Sequence, residues 1–312
     1  MKNKKILLIG GSGFIGLHLA KKFSEIGLDT TILCKNPDKI KKLNFAKKIK
    51  FLKGNITDYK TIKNNIKNKD IIINLASVIN QGSNFDPYVD LEVNCKGNLN
   101  ILEARKKLNP NSRYIFIGSR AQFGKVKEED LPIPEAYCQR PISLYGIHKL
   151  TAENYCELYK RAFNLKSIII RLSQVYGPSL TKERTHSVID DFVKKAIKNE
   201  EFYVNGYGVD IKDWIYIDDV IDLIVKILAS NAEKGIFNVG SGKKIRLINI
   251  AKKVIELCKS GRFKAVPFPK NIIKFELGSF YFDISKVNKE FGWKPKINLE
   301  EGIKRVIDFY KN

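Results

Sequence analysis

Residues Lys5-Ile-Leu-Leu-Ile9 run directly into Gly10-Gly-Ser-Gly-Phe-Ile-Gly16, and a helical pattern continues to about Ile26. An apolar strand entering a glycine-rich turn that opens a helix constrains a fold more tightly than anything else in this chain. Gly11, Gly13 and Gly16 satisfy G-x-G-x-x-G, while Gly10, Gly13 and Gly16 satisfy the looser G-x-x-G-x-x-G. Glycines allow the tight turn, close backbone approach to a pyrophosphate, and close packing of helix on strand. The helix N-terminus adds N–H groups and partial positive charge that favour phosphate. Gly10, Gly13, Phe14, Ile15 and Gly16 are therefore candidate cofactor contacts.

Strand and helix signals alternate to about residue 175, as expected for βαβ units and a parallel sheet. Ile6–Ile9, Ile71–Ile73, Tyr114–Ile117 and Ile168–Ile170 are continuous apolar runs, the pattern of strands covered on both faces. With 312 residues and 44% hydrophobic content, the chain can bury a large core. The expected fold is α/β, a doubly wound parallel sheet with a smaller α/β C-terminal lobe. Residues 1–175 should form a dinucleotide-binding domain that receives a returning segment near 214–245. Residues 176–312 should form mainly a substrate-binding lobe, interleaved with it.

Tyr145-Gly-Ile-His-Lys149 opens a second informative stretch, a helix expected over Tyr145–Phe163. A tyrosine and a lysine four residues apart share one face, a single turn from each other. A cation beside a phenol favours the phenolate, which suits a general acid/base working beside hydride transfer. Such pairs also occur on ordinary amphipathic helices, so this one gains its weight from the glycine turn.

With both motifs present, the chain resembles the extended short-chain dehydrogenase/reductase family of nucleotide-sugar epimerases, dehydratases and reductases. The resemblance runs nearly end to end. It includes Leu75-Ala-Ser77, Asn94-Cys-Lys-Gly97 before Asn100-Ile-Leu-Glu-Ala104, Ile115-Phe-Ile-Gly-Ser119 and Arg171-Leu-Ser-Gln-Val-Tyr-Gly-Pro178. Lys212-Asp-Trp-Ile-Tyr-Ile-Asp-Asp-Val220, Asn238-Val-Gly-Ser-Gly242 and Phe291-Gly-Trp-Lys-Pro295 follow in the family's order. The resemblance implies a catalytic set of Ser119, Tyr145 and Lys149, in which Ser119 orients the oxygen served by Tyr145. It implies that Lys149 also holds the nicotinamide ribose, and that Leu75, Ala76, Ser77 and Asn94 line the cofactor. A nucleotide-sugar substrate and a homodimer are implied as well.

Departures from the family pattern carry the finer expectations. Cys34-Lys35-Asn36 stands where NAD-preferring relatives place an acidic residue for the adenosine ribose. A lysine without a carboxylate suits a 2′-phosphate, so Lys35 favours NADP over NAD. Asn55, followed by Ile56, takes a slot usually held by Asp beside the adenine. Arg120 and Ala121 replace the Asp and Glu of the family's 4,6-dehydratases, which argues against dehydration; Arg120 either faces solvent or touches substrate. Gln174 and Lys212 fall at substrate positions usually held by Asn and Arg, and Ile273 replaces a second arginine expected at the diphosphate. A lysine supplies charge without the bidentate fork. Asp218-Asp219 reads as a helix N-cap after a strand, and Trp293 as core.

The formal charge of +23 comes from 56 basic residues, of which ten are arginine and 46 lysine. Some superfamily members have become RNA-binding proteins. Here the basic residues are dispersed, without an arginine-rich tract or interleaved aromatics, so no nucleic-acid partner is expected. Five scattered cysteines without C-x-x-C indicate a reducing cytoplasm, with the thiols as small core groups. His18, His148 and His186 share no ligand spacing, so no metal is expected. No stretch approaches the roughly 18 apolar residues of a membrane span. The expected activity is hydride transfer at a sugar carbon, C4 foremost, with a 4-keto-sugar reductase placed ahead of a 4-epimerase.

Overall fold

The computed structural model describes residues 4–79, 86–181 and 187–311, so His186 lies outside the described residues. The chain divides into two compact units. One comprises 1–122, 139–171 and 225–237; the other comprises 123–138, 172–224 and 238–312.

In the first unit, β1 (Lys5–Ile9) leads to α1 (Phe14–Glu25), β2 (Asp29–Cys34), α2 (Asp38–Lys41), β3 (Lys50–Lys53) and α3 (Tyr59–Ile66). Then come β4 (Ile71–Asn74), α4 (Pro87–Leu91), a π-helical turn (Glu92–Lys96), α5 (Gly97–Leu108) and β5 (Arg113–Ser119). A short turn of 3₁₀ helix (Arg120–Phe123) follows β5, and α6 (Leu144–Phe163) and β6 (Ser167–Leu172) complete the series. Local chemistry sets these boundaries. Asp58 caps α3 by accepting from the Lys60 and Thr61 N–H groups, and Asp86 caps α4 with Pro87 at its first position. Ser143 caps α6 through Gly146 N–H, and α6 ends at Asn164 in the left-handed region.

Seven strands form one sheet in the order β11-β6-β5-β4-β1-β2-β3, where β11 is Gly235–Val239. The pairs β1–β2, β2–β3, β1–β4 and β4–β5 are parallel. The chain starts at β1, winds outward to β3, then returns to the other side of β1 through β4. That reversal makes the carboxyl ends of β1 and β4 the place where such a sheet offers a ligand crevice. Leu7, Leu8, Ile72, Ile73, Ile115 and Ile169 are wholly buried, which accounts for the unbroken apolar runs in the sequence.

The second unit carries β7 (Gln174–Tyr176), α7 (Val188–Ile197), β8 (Glu201–Asn205), β9 (Ile211–Lys212) and β10 (Trp214–Tyr216). Helix α8 (Ile217–Ala229) and β11 run across the division between the units. After them come β12 (Ile245–Arg246), α9 (Leu247–Cys258), β13 (Arg262–Val266), α10 (Ser285–Phe291) and α11 (Leu299–Lys311). Its strands form three two-stranded sheets, β7–β10, β9–β12 and β8–β13. Phe123, Phe280 and Phe282 meet at ring separations of 4.6–6.3 Å around Ile133, so the excursion 123–138 is held in this unit by aromatic packing.

Trp293 is core, with 1% of its surface exposed and its indole N–H donated to Asp219 O. Asp218 and Asp219 do not cap α8 as expected; both lie inside its first turn. Asp219 instead accepts from the Lys296 and Ile297 N–H groups, and Asp218 pairs with Arg305. The dipeptide pins the C-terminal segment. Cys34, Cys95, Cys156 and Cys258 are buried thiols, whereas Cys138 is exposed and departs from the core expectation. No described helix is long and apolar enough to cross a membrane.

Candidate active site

The glycine turn closes on the switch point of the sheet. Gly10 has φ +77°, and a Cβ there would stand 2.5 Å from Ala76 N; at Gly16 it would stand 2.5 Å from Gly11 Cα. Both positions exclude any larger residue, because backbone rather than a flexible side chain stands in the way. Gly13 is different: its nearest neighbour would be Gly10 O at 3.4 Å, so the turn stays open above it. Gly13 is also the N-terminal cap of α1, with no side-chain cap and no acidic residue in the first turn. The Phe14, Ile15 and Gly16 amides belong to that first turn, whose N–H groups have no carbonyl four residues back within the helix. This cradle fits the pyrophosphate of a dinucleotide.

Around it lie the other candidate cofactor residues. Leu75 N–H donates to Ile9 O at 2.9 Å, and Ala76 N–H to Asn74 Oδ1 at 3.2 Å. Cys34 is buried, which pushes its thiol above the ordinary range, and the Ser12 hydroxyl hydrogen-bonds it. Lys35, next in sequence, is exposed. Asn55 turns its Oδ1 back onto Thr57 N–H at 3.3 Å, leaving its amide NH2 as the group it can offer. Ile56 is buried, and its carbonyl accepts from Asn100 at 3.0 Å.

The phenol sits at the start of α6. The Ser119 and Ser77 side chains lie close enough to the Tyr145 hydroxyl to ease its ionisation. Lys149 Nζ donates to Ile117 O at 2.9 Å and lies 5.9 Å from the centre of the Tyr145 ring. Thus the structure brings Ser119, Tyr145, Lys149 and Ser77 together, although they come from three separate stretches of chain. The electrostatics differ from the simple expectation that a neighbouring cation makes the phenol easy to ionise. Burial raises Tyr145 above the usual tyrosine range. The nearby Ser119 and Ser77 side chains pull it back, with Asp90 raising and Arg120 lowering it more weakly. Burial also lowers Lys149 to about 8, against the opposing charges of Asp90 and Cys95. Arg120 is half-buried beside Ser119, and its charge reaches the phenol.

Sequence reasoning missed the frame that holds Ser119. Gln122 Oε1 accepts from Ser119 N–H at 2.8 Å, and Gln122 Nε2 donates to Glu153 Oε2 at 2.7 Å. Arg171 Nε donates to the same carboxylate oxygen at 3.0 Å, and Arg171 also pairs with Oε1. Gln122, Glu153 and Arg171 are all 2% exposed or less, so the turn after β5 is locked to α6 and β6 by a buried charged network. A glutamate eight residues after Tyr145, on a helix with an apolar face, is the only trace of it in the sequence.

Of the candidate substrate residues, Arg120 belongs to the first unit, and Gln174 and Lys212 to the second. Gln174 N–H donates to Asp213 O at 3.0 Å, while its side-chain Oε1 is buried with no hydrogen-bond partner among the described residues. Lys212 is 7% exposed and already engaged: it pairs with Glu276, lies 3.5 Å from Asp210 Oδ2 and donates to Gly278 O at 2.8 Å.

Residues 6–240 match the model of the NAD dependent epimerase/dehydratase family. A relative named "Putative UDP-glucose 4-epimerase", from Methanocaldococcus jannaschii, is 33% identical over 98% of this chain and 98% of its own length. A dTDP-D-glucose 4,6-dehydratase of Dictyostelium discoideum is 28% identical over 99% of this chain and 82% of its own. Among solved structures, the UDP-glucose 4-epimerase of Thermotoga maritima, determined with UDP-glucose, superposes with a TM-score of 0.86. It shares 27% identity, and 98% of each chain is covered. On its sequence, its seven-stranded doubly wound sheet and its glycine cradle, the chain is an enzyme of the short-chain dehydrogenase/reductase type and belongs to the NAD-dependent epimerase/dehydratase family.

Proposed function

We propose that the protein is a nucleotide-sugar 4-epimerase that works with a retained NAD. The observation that carries this reading is the buried Tyr145 phenol, with Ser119 and Ser77 beside its hydroxyl and Lys149 5.9 Å from its ring centre. Tyr145 takes the proton of the sugar 4-hydroxyl as that carbon is oxidised, and gives it back when the 4-keto sugar is reduced on its other face. Ser119 holds the same oxygen by its hydroxyl. Lys149, 5.9 Å from the Tyr145 ring centre, would hold the nicotinamide ribose of a bound dinucleotide. The Gly10–Gly16 cradle would hold the dinucleotide, which when bound would supply the hydride acceptor and, in the return half, the donor. Arg120 and Ala121 put no carboxylate next to Ser119, so water elimination, the chemistry of the dehydratase relatives, lacks its acid and base here.

This places epimerase ahead of reductase, the reverse of the order suggested by the end of β2. The end-to-end relationship to the M. jannaschii protein supports the change. The exposed Lys35 still favours a second reading, a 4-keto-sugar reductase using NADPH. We also propose a homodimer, because Tyr88, Leu91, Ile147 and Leu158 on the adjacent helices α4 and α6 are 43–76% exposed. Chromatography of UDP- and dTDP-hexoses after incubation with the purified protein tests the main reading. The expected product is the 4-epimer, formed without added cofactor. Tyr145→Phe should slow it by roughly 10²–10⁴; near-full activity in that variant would remove the reading.

A further inference from the structure

The turn after β5 decides which atoms of Ser119 are left to act. Ser119 N–H donates to Gln122 Oε1 at 2.8 Å, and Ser119 Oγ accepts from Ala121 N–H at 3.2 Å. With its amide hydrogen and one lone pair engaged, Ser119 keeps its hydroxyl hydrogen and a second lone pair for the reacting side. The arrangement lasts only while the Gln122 side-chain oxygen stays on the Ser119 amide.

Glu153 decides which way round that side chain sits. Gln122 Nε2 donates to Glu153 Oε2 at 2.7 Å. A carboxylate only accepts, so an amide facing it must present its NH2, which turns the amide oxygen toward Ser119 N–H. Reversed, the amide would set carbonyl against carboxylate and NH2 against N–H. Arg171 holds the carboxylate from the other side, with Nε 3.0 Å from Oε2 and a further pairing to Oε1. Gly118 completes the fit: a Cβ there would stand 2.7 Å from Gln122 Oε1 and 3.3 Å from Arg171 Cγ, so the amide oxygen lies where a side chain at 118 would begin. Glu153 is on α6, about one turn beyond Lys149 and two beyond Tyr145. The helix that carries the phenol also carries the charge that orients the turn bearing Ser119.

We propose that Gln122, oriented by Glu153, is a positioning residue that holds Ser119 in the geometry needed to bind the sugar 4-oxygen. The inference rests on the reading of Ser119 as the hydroxyl that holds that oxygen. Gln122 is 0% exposed, so it cannot touch substrate and acts on the reaction only through Ser119. A buried amide beside a buried ion pair gives a fold little that apolar side chains of similar volume would not. What it supplies is direction, because hydrogen bonds fix orientation and apolar contacts do not.

Gln122→Met keeps the length of the side chain and removes both hydrogen bonds. Turnover of the UDP- or dTDP-hexose on which the wild type acts should fall about threefold to tenfold, the equivalent of one neutral hydrogen bond, with KM within about twofold. Because the effect runs through Ser119, the double variant Ser119→Ala/Gln122→Met should be no slower than Ser119→Ala. A role in packing alone would multiply the two losses. Hydrogen exchange at the Ser119 amide needs no substrate and should be faster in Gln122→Met. Gln122→Glu sets two carboxylates face to face and should be slower than Gln122→Met. The swap Gln122→Glu/Glu153→Gln puts a donor opposite an acceptor again and should recover most activity. Should Gln122→Met not fold, Gln122→Glu and the swap carry the test. Wild-type kcat in Gln122→Met, multiplied losses in the double variant, or a swap no better than Gln122→Glu would overturn the proposal. So would failure of both Gln122→Met and the swap to fold, which would give the network to the fold alone. If Ser119→Ala keeps full activity, the reading of Ser119 falls; if it is slow while Gln122→Met is normal, only this inference falls.

Discussion

Lys149 and Lys212 are both nearly buried, at 3% and 7% exposure, yet the two regions use their charge in opposite ways. Lys212 is matched by Glu276 and Asp210 within its own unit, so its charge is consumed by structure. Lys149 spends its hydrogen bond on a neutral carbonyl and stands over the rings of Phe116 and Tyr145, so burial lowers it to about 8. A buried cation that is fully paired holds a fold together. One that is desolvated beside a phenol is held ready for chemistry.

Removing each cation tests that contrast most strongly. Lys149→Met should cost roughly 10²–10⁴ in turnover while the melting temperature at neutral pH rises, since no carboxylate loses its ion-pair partner and the desolvated charge is gone. In the wild type, activity that needs the ammonium should fall as pH rises through about 8. Stability runs the other way. The unfolded chain binds the lysine proton up to the ordinary value of 10.5, so between about pH 8 and 10.5 unfolded Lys149 holds more proton than folded. The stability of wild type relative to Lys149→Met should therefore rise with pH across that window, as denaturant titrations can measure. A flat difference would mean that Lys149 is not strained by burial.

Lys212→Met should do the reverse and lose about 2–4 kcal/mol of stability. That is less than for a fully enclosed pair, because the Glu276 side chain is 22% exposed. Turnover at saturating substrate should stay within a few-fold. A large KM rise with unchanged stability would instead make Lys212 a diphosphate ligand, and the contrast between the two lysines would collapse.

Ser119→Ala should cost about tenfold to a hundredfold in kcat, less than Tyr145→Phe, because it removes an orienting hydrogen bond and leaves the proton carrier. A larger loss than for Tyr145→Phe, with fold intact, would exchange their roles. The smallest effect belongs to Lys35→Asp. Under the epimerase reading, NAD that copurifies should survive dialysis, and the substitution should alter its affinity only a few-fold. A clear NADPH preference in wild type, shrinking with salt and reversed in Lys35→Asp, would move the reductase to first place.

The glycine turn, the unbroken apolar strands, the Tyr145–Lys149 spacing and the family order of motifs were all legible along the chain. Each is written in near neighbours: a strand, a turn and a helix within about twenty residues, or two side chains one helical turn apart. Ser119 was legible too, because it ends a strand that reads as one. What the linear order did not contain were partners brought in from afar. Glu153 reaches Gln122 and Arg171 only because α6 packs beside β5 and β6, and Asp90 meets His148 across 58 residues. The role of Lys212 was decided by Glu276, 64 residues away, and that of Asp219 by the main chain at 296 and 297. Local spacing determines which groups can act, since it follows from backbone geometry. Whether a buried charge is matched or left to do chemistry depends on desolvation and on what lies opposite, and only the packed tertiary structure supplies those.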